Sequence, residues 1–347
     1  MKPNIANPSL QSIARRRSWL GVSVVLLWVV ICQGGDAIPA SDNTGPGYLT
    51  APSLSPWHFL RPSSMFAMPV LENQGGARFD VDFHWANVMN ISTNDYLFDG
   101  EWIRTNLRLS RGVGEGVAVG VGLPIIGRTG GFADSAIESF HSAFGLSKNS
   151  RVSGRRNQSL VTVNNEGDSV TVVEGDSWGI GDMSTFLAAR LTEGTCVLPA
   201  ITVLGEVFFP TGDENELRGV GSPGAALSSV ASRRLGEGPF IAFLGLGVEY
   251  HDSDDIEGIK FNDELFSGLV GLAYEYSKSI SFNLQYLISS PVAEDYFAYS
   301  DPSEDVSFGF KWRSRSGSAL ELAMSENVDN FQNSADITVH LAFGWRL

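Results

Sequence analysis

A transmembrane antiparallel β-barrel of about twelve strands is the fold class this sequence predicts, on three observations. First, apolar residues alternate with small or polar ones along most of the chain, the period of a strand. The alternation runs to the very end, where Ile337, Val339, Leu341, Phe343, Trp345 and Leu347 interleave with Asp336, Thr338, His340, Ala342, Gly344 and Arg346. Chain ends usually fray unless something ties them down, and in lipid a sheet must close on itself to pair its edges. A last strand that pairs with the first needs an apolar face over the whole membrane height. Second, tight connections ("RGVGEG", "TEGTC", "RLGEG", "SKS", "SRSGS") alternate with mostly longer ones rich in Asp, Asn and Glu, such as 251–264 and 290–305. Short turns at one end and long loops at the other are the plan of an outer-membrane barrel. Third, beyond an N-terminal run no stretch is apolar and long enough for a membrane-spanning helix.

The 347 residues divide into three parts. Residues 1–40 read as a cleaved signal peptide: Lys2 and Arg15, Arg16 and Arg17 precede the apolar run "WLGVSVVLLWVVI", and "CQGGDAIPA" supplies small residues for a cut after Ala37 or Ala40. The run is shorter than the roughly 20 residues of a spanning helix. Once it is removed only Cys196 remains, so no intramolecular disulfide is expected. Residues 41–76 are punctuated by Pro and Gly yet hold Trp57, Phe59, Leu60 and Phe66, and read equally as a partial plug folded into or across the periplasmic mouth and as an ordered tail packed under the barrel. Residues 77–347 form the barrel. The net charge of −15 argues against a nucleic-acid partner.

The strands follow in order. In 78–85, Phe79, Val81, Phe83 and Trp85 share one face and Arg78, Asp80, Asp82 and His84 the other. In 102–110, Ile103, Thr105, Leu107 and Leu109 oppose Arg104, Asn106, Arg108 and Ser110, and in 117–125 Val117, Val119, Val121, Leu123 and Ile125 oppose Ala118, Gly120, Gly122 and Pro124. Less regular strands occupy about 182–191, 200–209, 225–233, 240–250, 266–276 and 318–324. The alternation is clean again in 280–288 and 306–312, and the C-terminal strand at 336–347 makes twelve. A soluble β-sandwich would also alternate. Here the polar faces carry Gly, Ala, Ser and mixed charges, as suits a lumen, while Trp85, Tyr274, Tyr276, Trp312 and Trp345 near strand ends suit an interfacial girdle.

The third connection is about 55 residues long, and loops of that length are usually functional or disordered. Its opening, 130–146, places Phe132, Ala136, Ile137, Phe140 and Phe144 at helical spacing, with Asp134, Glu138 and His141 on another face. Glu-x-x-His is half of a helical metal motif, but no matching partner motif accompanies it. An amphipathic lid helix is therefore expected, with no metal and no cofactor. Residues 159–173, "SLVTVNNEGDSVTVV", read as a hairpin standing above the membrane. The stretch "GRTGGFADSAIESFHSAFGLSKNSR", with "FDGEWIR" before it and "GIGD" and "FFPTGD" after it, resembles an uncharacterised family of bacterial outer-membrane proteins catalogued as a domain of unknown function, over roughly residues 50–347. "PTGD" at 210–213 is more loosely similar to outer-membrane proteins of the meta-pathway for phenol degradation. These resemblances imply a Gram-negative outer-membrane location and passage of small solutes, aromatic or hydrophobic ones among them.

The lumen expected from the alternation carries Asp80, Asp82, His84, Arg104, Arg108, Glu206, Lys311, Arg313 and His340. Barrel closure brings Asp82 and His84 toward the level of His340. Such charges either select permeants at a constriction or pair with one another inside a barrel too narrow to conduct. The leading expectation is a channel for passive uptake of a small-molecule permeant. The partners expected are outer-membrane lipid and lipopolysaccharide, and the barrel-insertion machinery during biogenesis; the acidic loop residues Asp252, Asp254, Asp255 and Glu257 read first as keeping exposed loops soluble, and second as bridging to lipopolysaccharide phosphates through divalent cations. A sealed structural or surface-binding barrel is the alternative. An outer-membrane lipid hydrolase is the third class, since "GDSWG" at 175–179 matches G-x-S-x-G around Ser177. That motif works on a strand-to-helix turn, whereas here it leads into another strand, so no catalytic residue is assigned.

Overall fold

In the computed structural model the described residues are 47–67, 70–92, 95–131, 158–165, 168–194, 198–252, 255–328, 333 and 335–347. The signal segment, Cys196 and the expected lid helix beyond its first two positions, with Phe132, Asp134, Glu138, Phe140 and His141, lie outside them.

The strands are β1 (Ala77–Ser92), β2 (Tyr96–Gly114), β3 (Val117–Thr129), β4 (Leu160–Asn165), β5 (Asp168–Glu174), β6 (Ser177–Ile180), β7 (Met183–Glu193), β8 (Ala200–Phe209), β9 (Gly224–Arg234), β10 (Phe240–His251), β11 (Glu264–Ser277), β12 (Ile280–Ser289), β13 (Ser303–Arg313), β14 (Ala319–Asn327) and β15 (Ile337–Arg346). β1 to β3 and β7 to β15 pair in sequence order, each antiparallel to the next, and β15 pairs with β1, so twelve strands close a barrel. Each strand expected from the alternation is present. β4, β5 and β6 stand on the barrel at the loop end: the β4–β5 hairpin extends the sheet from Tyr96–Asp99 of β2, and β6 from Ile125–Arg128 of β3.

Closure brings the apolar faces of the first and last strands together, as the alternation expects. Phe79, Val81, Phe83 and Trp85 lie opposite Trp345, Phe343, Leu341 and Val339 on the outer face, with Phe79 and Trp345 ring centroids 4.9 Å apart. Phe240, Tyr274, Tyr276, Phe282 and Trp312 are exposed near the turn end, and Trp178, Phe209, Tyr250 and Phe266 near the loop end. Ten residue steps separate Phe240 from Tyr250 along β10, about 34 Å of strand. At a tilt of about 40° that gives about 26 Å of height, the roughly 25 Å apolar band of these barrels.

β1 and β2 are longer than their alternation, which covers 78–85 and 102–110 only. The reason is visible at Trp85, whose indole Nε1–H donates to Glu101 Oε2 at 2.9 Å. From there upward the outer face leaves the apolar band, carries Asn87 and Glu101, and loses its apolar period. β6 was not anticipated because Gly175, Asp176, Gly179 and Gly181 punctuate it like a loop. Its Trp178 ring lies over Gly127 of β3, where an added Cβ would come within 2.5 Å of the ring.

The buried core is inside the barrel. Its largest cluster, at the loop end, joins Trp57, Phe59, Phe98, Trp102, Phe261 and Tyr299 with residues of the β4–β5 hairpin such as Val161, Val163 and Val173.

Candidate functional site

Alternation aims every second side chain of a barrel strand inward, and each of Asp80, Asp82, His84, Arg104, Arg108, Glu206, Lys311, Arg313 and His340 falls on the inner set. Asp82, His84, Arg104, Arg108, Glu206 and His340 are buried there. What they face is residues 47–76 of the same chain. The segment enters at the turn end, climbs past β12–β14, turns over near Trp57 and descends past β9, β10 and β2 to join β1. It therefore spans the lumen rather than only its mouth.

The wall holds the segment mainly by its backbone. On the ascending arm Lys311 donates to Tyr48 O at 2.5 Å, Gln285 Oε1 accepts from Leu49 N at 3.0 Å, and Glu321 Oε1 accepts from Thr50 N at 2.5 Å. Ser53 and Ser303 hydroxyls meet at 2.8 Å. At the top Trp57 makes edge contacts with Phe98 (5.1 Å), Phe261 (5.2 Å) and Tyr299 (6.4 Å), and Phe59 with Trp102 (5.0 Å). His58 there donates one ring N–H to Ser290 O at 2.9 Å, and its other ring nitrogen meets the Ser55 hydroxyl at 2.6 Å.

Arg61 begins the descent, donating to Asn262 O and Asp263 O at 2.6 and 2.8 Å and pairing with Glu249 at 3.4 Å. Below it Arg104 donates to Phe59 O (3.0 Å), Ser64 meets Ser228 (2.5 Å) and Arg108 donates to Phe66 O (2.8 Å). Glu72 closes the turn end, 2.6 Å from Arg346 and 3.8 Å from Arg78. A buried carbonyl or amide without a partner costs free energy. The irregular backbone of 47–76 survives inside the barrel because charged and amide side chains of the wall meet it.

Several wall charges pair with one another. Arg108 lies 2.6 Å from Asp82, Lys311 2.8 Å from Glu321 and Arg78 2.8 Å from Asp80. Across the closing seam His84 faces His340 in register, with their Nδ1 atoms 2.9 Å apart, and His340 Nε2 contacts the Ser325 hydroxyl at 2.8 Å.

Two cavities flank the hairpin. One, at the turn end, is lined by Arg78, Asp80, Asp82, Arg108, Lys311 and Arg313 among others. The other, deeper, is lined by His84, Arg104, Asn106, Arg108, Ser184 and Glu206 with parts of the hairpin. Arg108 belongs to both linings, so the Asp82–Arg108 pair, tied to Phe66 O, stands between them. The lumen residues singled out from the sequence leave out Tyr48, Arg61, Asn106, Ser184 and Gln285. Asn106 and Gln285 already lie on the polar faces read from the alternation, and Ser184 sits at an inward position of its strand. Tyr48 and Arg61 lie in a segment with no periodicity to follow.

The motifs "GIGD" and "PTGD" meet at the loop end. Asp182 accepts from the amides of Gly212 (2.9 Å) and Val220 (2.8 Å), while the Thr211 hydroxyl donates to Gly181 O at 2.8 Å. Gly212 is required by packing, since a Cβ there would lie 2.4 Å from Arg218 O. Ser177 of "GDSWG" sits on β6, and its hydroxyl accepts from Arg218. These residues fold the loop between β8 and β9. Asp182→Ala removes two hydrogen bonds to a carboxylate, a local loss of about 2 kcal/mol that raises the opened population about thirtyfold. Trypsin cleavage after Arg218 should quicken accordingly, with the barrel intact on gels.

A family model described as "Protein of unknown function (DUF3187)" matches residues 25–347. No curated protein matches the chain. Among solved structures, the COG4313 outer-membrane channel from Pseudomonas putida F1 is similar at 11% identity and a TM-score of 0.52, covering 80% of this chain and 97% of that one. The Ralstonia pickettii toluene transporter TbuX aligns at 10% identity and a TM-score of 0.42, over 91% of this chain and 99% of that one.

Proposed function

The chain belongs to the DUF3187 family, and from the contents of its barrel we propose that it is a channel of the Gram-negative outer membrane, not an enzyme, through which small solutes pass when the hairpin of residues 47–76 gives way. The observation that carries this reading is the pair of cavities on either side of Arg108, stacked along the lumen and both bounded by the hairpin. A purely structural barrel has no need of a polar path beside its filling. The path is lined by both signs of charge, which suits small polar solutes. Aromatic or hydrophobic permeants, implied by resemblance, would have to pass the aromatic cluster around Trp57 first.

The second reading, a sealed barrel, is favoured by how fully the wall satisfies the hairpin backbone. Liposomes carrying the refolded mature protein separate the two. Uptake of a small sugar, a phenol derivative that does not cross bare bilayers or a small anion, above protein-free liposomes, is the expected result. Entry of none of them into liposomes with correctly folded protein would make the barrel a sealed one.

A further inference from the structure

Arg104, Glu206 and His84 meet in the deeper cavity with unused bonding capacity. Arg104 is 9% exposed, and it spends Nη1 on Phe59 O and Nε on Asn106 Oδ1, at 3.0 Å each. Among the described residues no carboxylate lies within 4.0 Å of its guanidinium. Glu206, 5% exposed, is hydrogen-bonded by Ser184, and its Oε2 is buried with no partner. His84, 1% exposed, uses Nδ1 on His340 and leaves Nε2 buried without one. Asp182 lines the same cavity, but both its oxygens are occupied by the Gly212 and Val220 amides.

An acid and a guanidinium buried in one cavity without touching each leave polar atoms unmet, which is costly. A molecule that carries both signs and fits between them removes that cost. We infer that this cavity is a binding site for a small zwitterion of amino-acid size, its carboxylate on Arg104, its ammonium on Glu206 Oε2, and His84 beside them. The inference rests on the channel reading, because the site lies on the path that reading uses. Gly122 and Pro124 leave a smooth apolar patch on the wall for a short side chain. A lone anion leaves Glu206 unmet and a lone cation leaves Arg104 unmet, so the site discriminates by the pair of charges.

The test is calorimetric binding to the mature protein in detergent, using alanine, propionate, propylamine and 1-propanol as probes of one size. Saturable binding of alanine is expected, with propionate and propylamine weaker by about tenfold or more, the worth of one charge-assisted hydrogen bond. Glu206→Gln, nearly the same shape, should weaken alanine by a similar factor and bring it level with propionate. Ser63→Ala, in the same lining and hydrogen-bonded to neither Arg104 nor Glu206, checks that the cavity survives substitution. No alanine binding, equal binding of all four probes, or a Glu206→Gln variant that folds and binds alanine unchanged would each overturn the inference. Alanine binding without uptake of any solute in liposomes would instead overturn the channel reading and leave the site standing.

Discussion

Deletion of residues 47–72 opens the barrel. Sugar uptake by liposomes should rise at least about tenfold, since the whole lumen of a twelve-stranded barrel is then left to water. The barrel should survive the deletion. Its strands are joined to one another by an unbroken ladder from β1 to β15, and none of those hydrogen bonds runs through the hairpin. The charges that faced the segment keep partners on the wall: Asp82 with Arg108, Lys311 with Glu321 and Arg78 with Asp80. Arg104 and Gln285 lose protein carbonyls and gain water in exchange. The unfolding temperature, read from gel mobility after heating, should fall, because Trp57, Phe59 and Met65 leave a core in which each is nearly fully buried. A folded deletion variant that conducts no better than the full chain would show that something other than the hairpin blocks the path.

Trp57→Ala should loosen the hairpin from its far end. The indole is 1% exposed and edge-packed on Phe98, Phe261 and Tyr299. Truncating a ring buried to that degree costs about 3–5 kcal/mol, and the loss falls where the chain turns over between its two arms. The arms keep their wall contacts, so the expected outcome is a hairpin that opens more often in an intact barrel. Solute uptake should rise severalfold, and proteases added from the loop side should cut near residue 60. Trp57→Phe keeps an aromatic edge for Phe98 and Tyr299 and should fall between the two. Uptake and cleavage both unchanged in Trp57→Ala would mean that the aromatic cluster does not hold the apex.

Most of the fold could be read from period-two alternation, because the membrane enforces it on every spanning strand. Ile337 to Leu347 gave the closing strand, and β15 pairs with β1 in that register. Where the outer face leaves lipid the constraint lapses. The upper halves of β1 and β2, with Asn87 and Glu101, and the whole of β6 carried no such signal. The inward charges were legible for the same reason; closure brought Asp82 and His84 toward the level of His340, and the register makes His84 its partner. What they face was less legible. Residues 47–76 have no period, since an irregular segment inside a barrel is shaped by its contacts with the wall, such as Lys311 on Tyr48 O and Arg61 on Asn262 O. Trp57, Phe59 and Phe66 showed only that the segment had apolar weight to bury.

The central claim is that the hairpin must move for a solute to pass, and locking it in place tests this most directly. Ser64 on the descending arm and Ser228 on β9 have hydroxyls 2.5 Å apart, so Ser64→Cys with Ser228→Cys places two thiols within reach of a disulfide. With Cys196→Ser in the same chain, and Cys32 removed with the signal, no other thiol competes. The oxidised protein should take up no solute, and reduction should restore the rate of the unsubstituted chain. Uptake at the same rate in both states would contradict the claim.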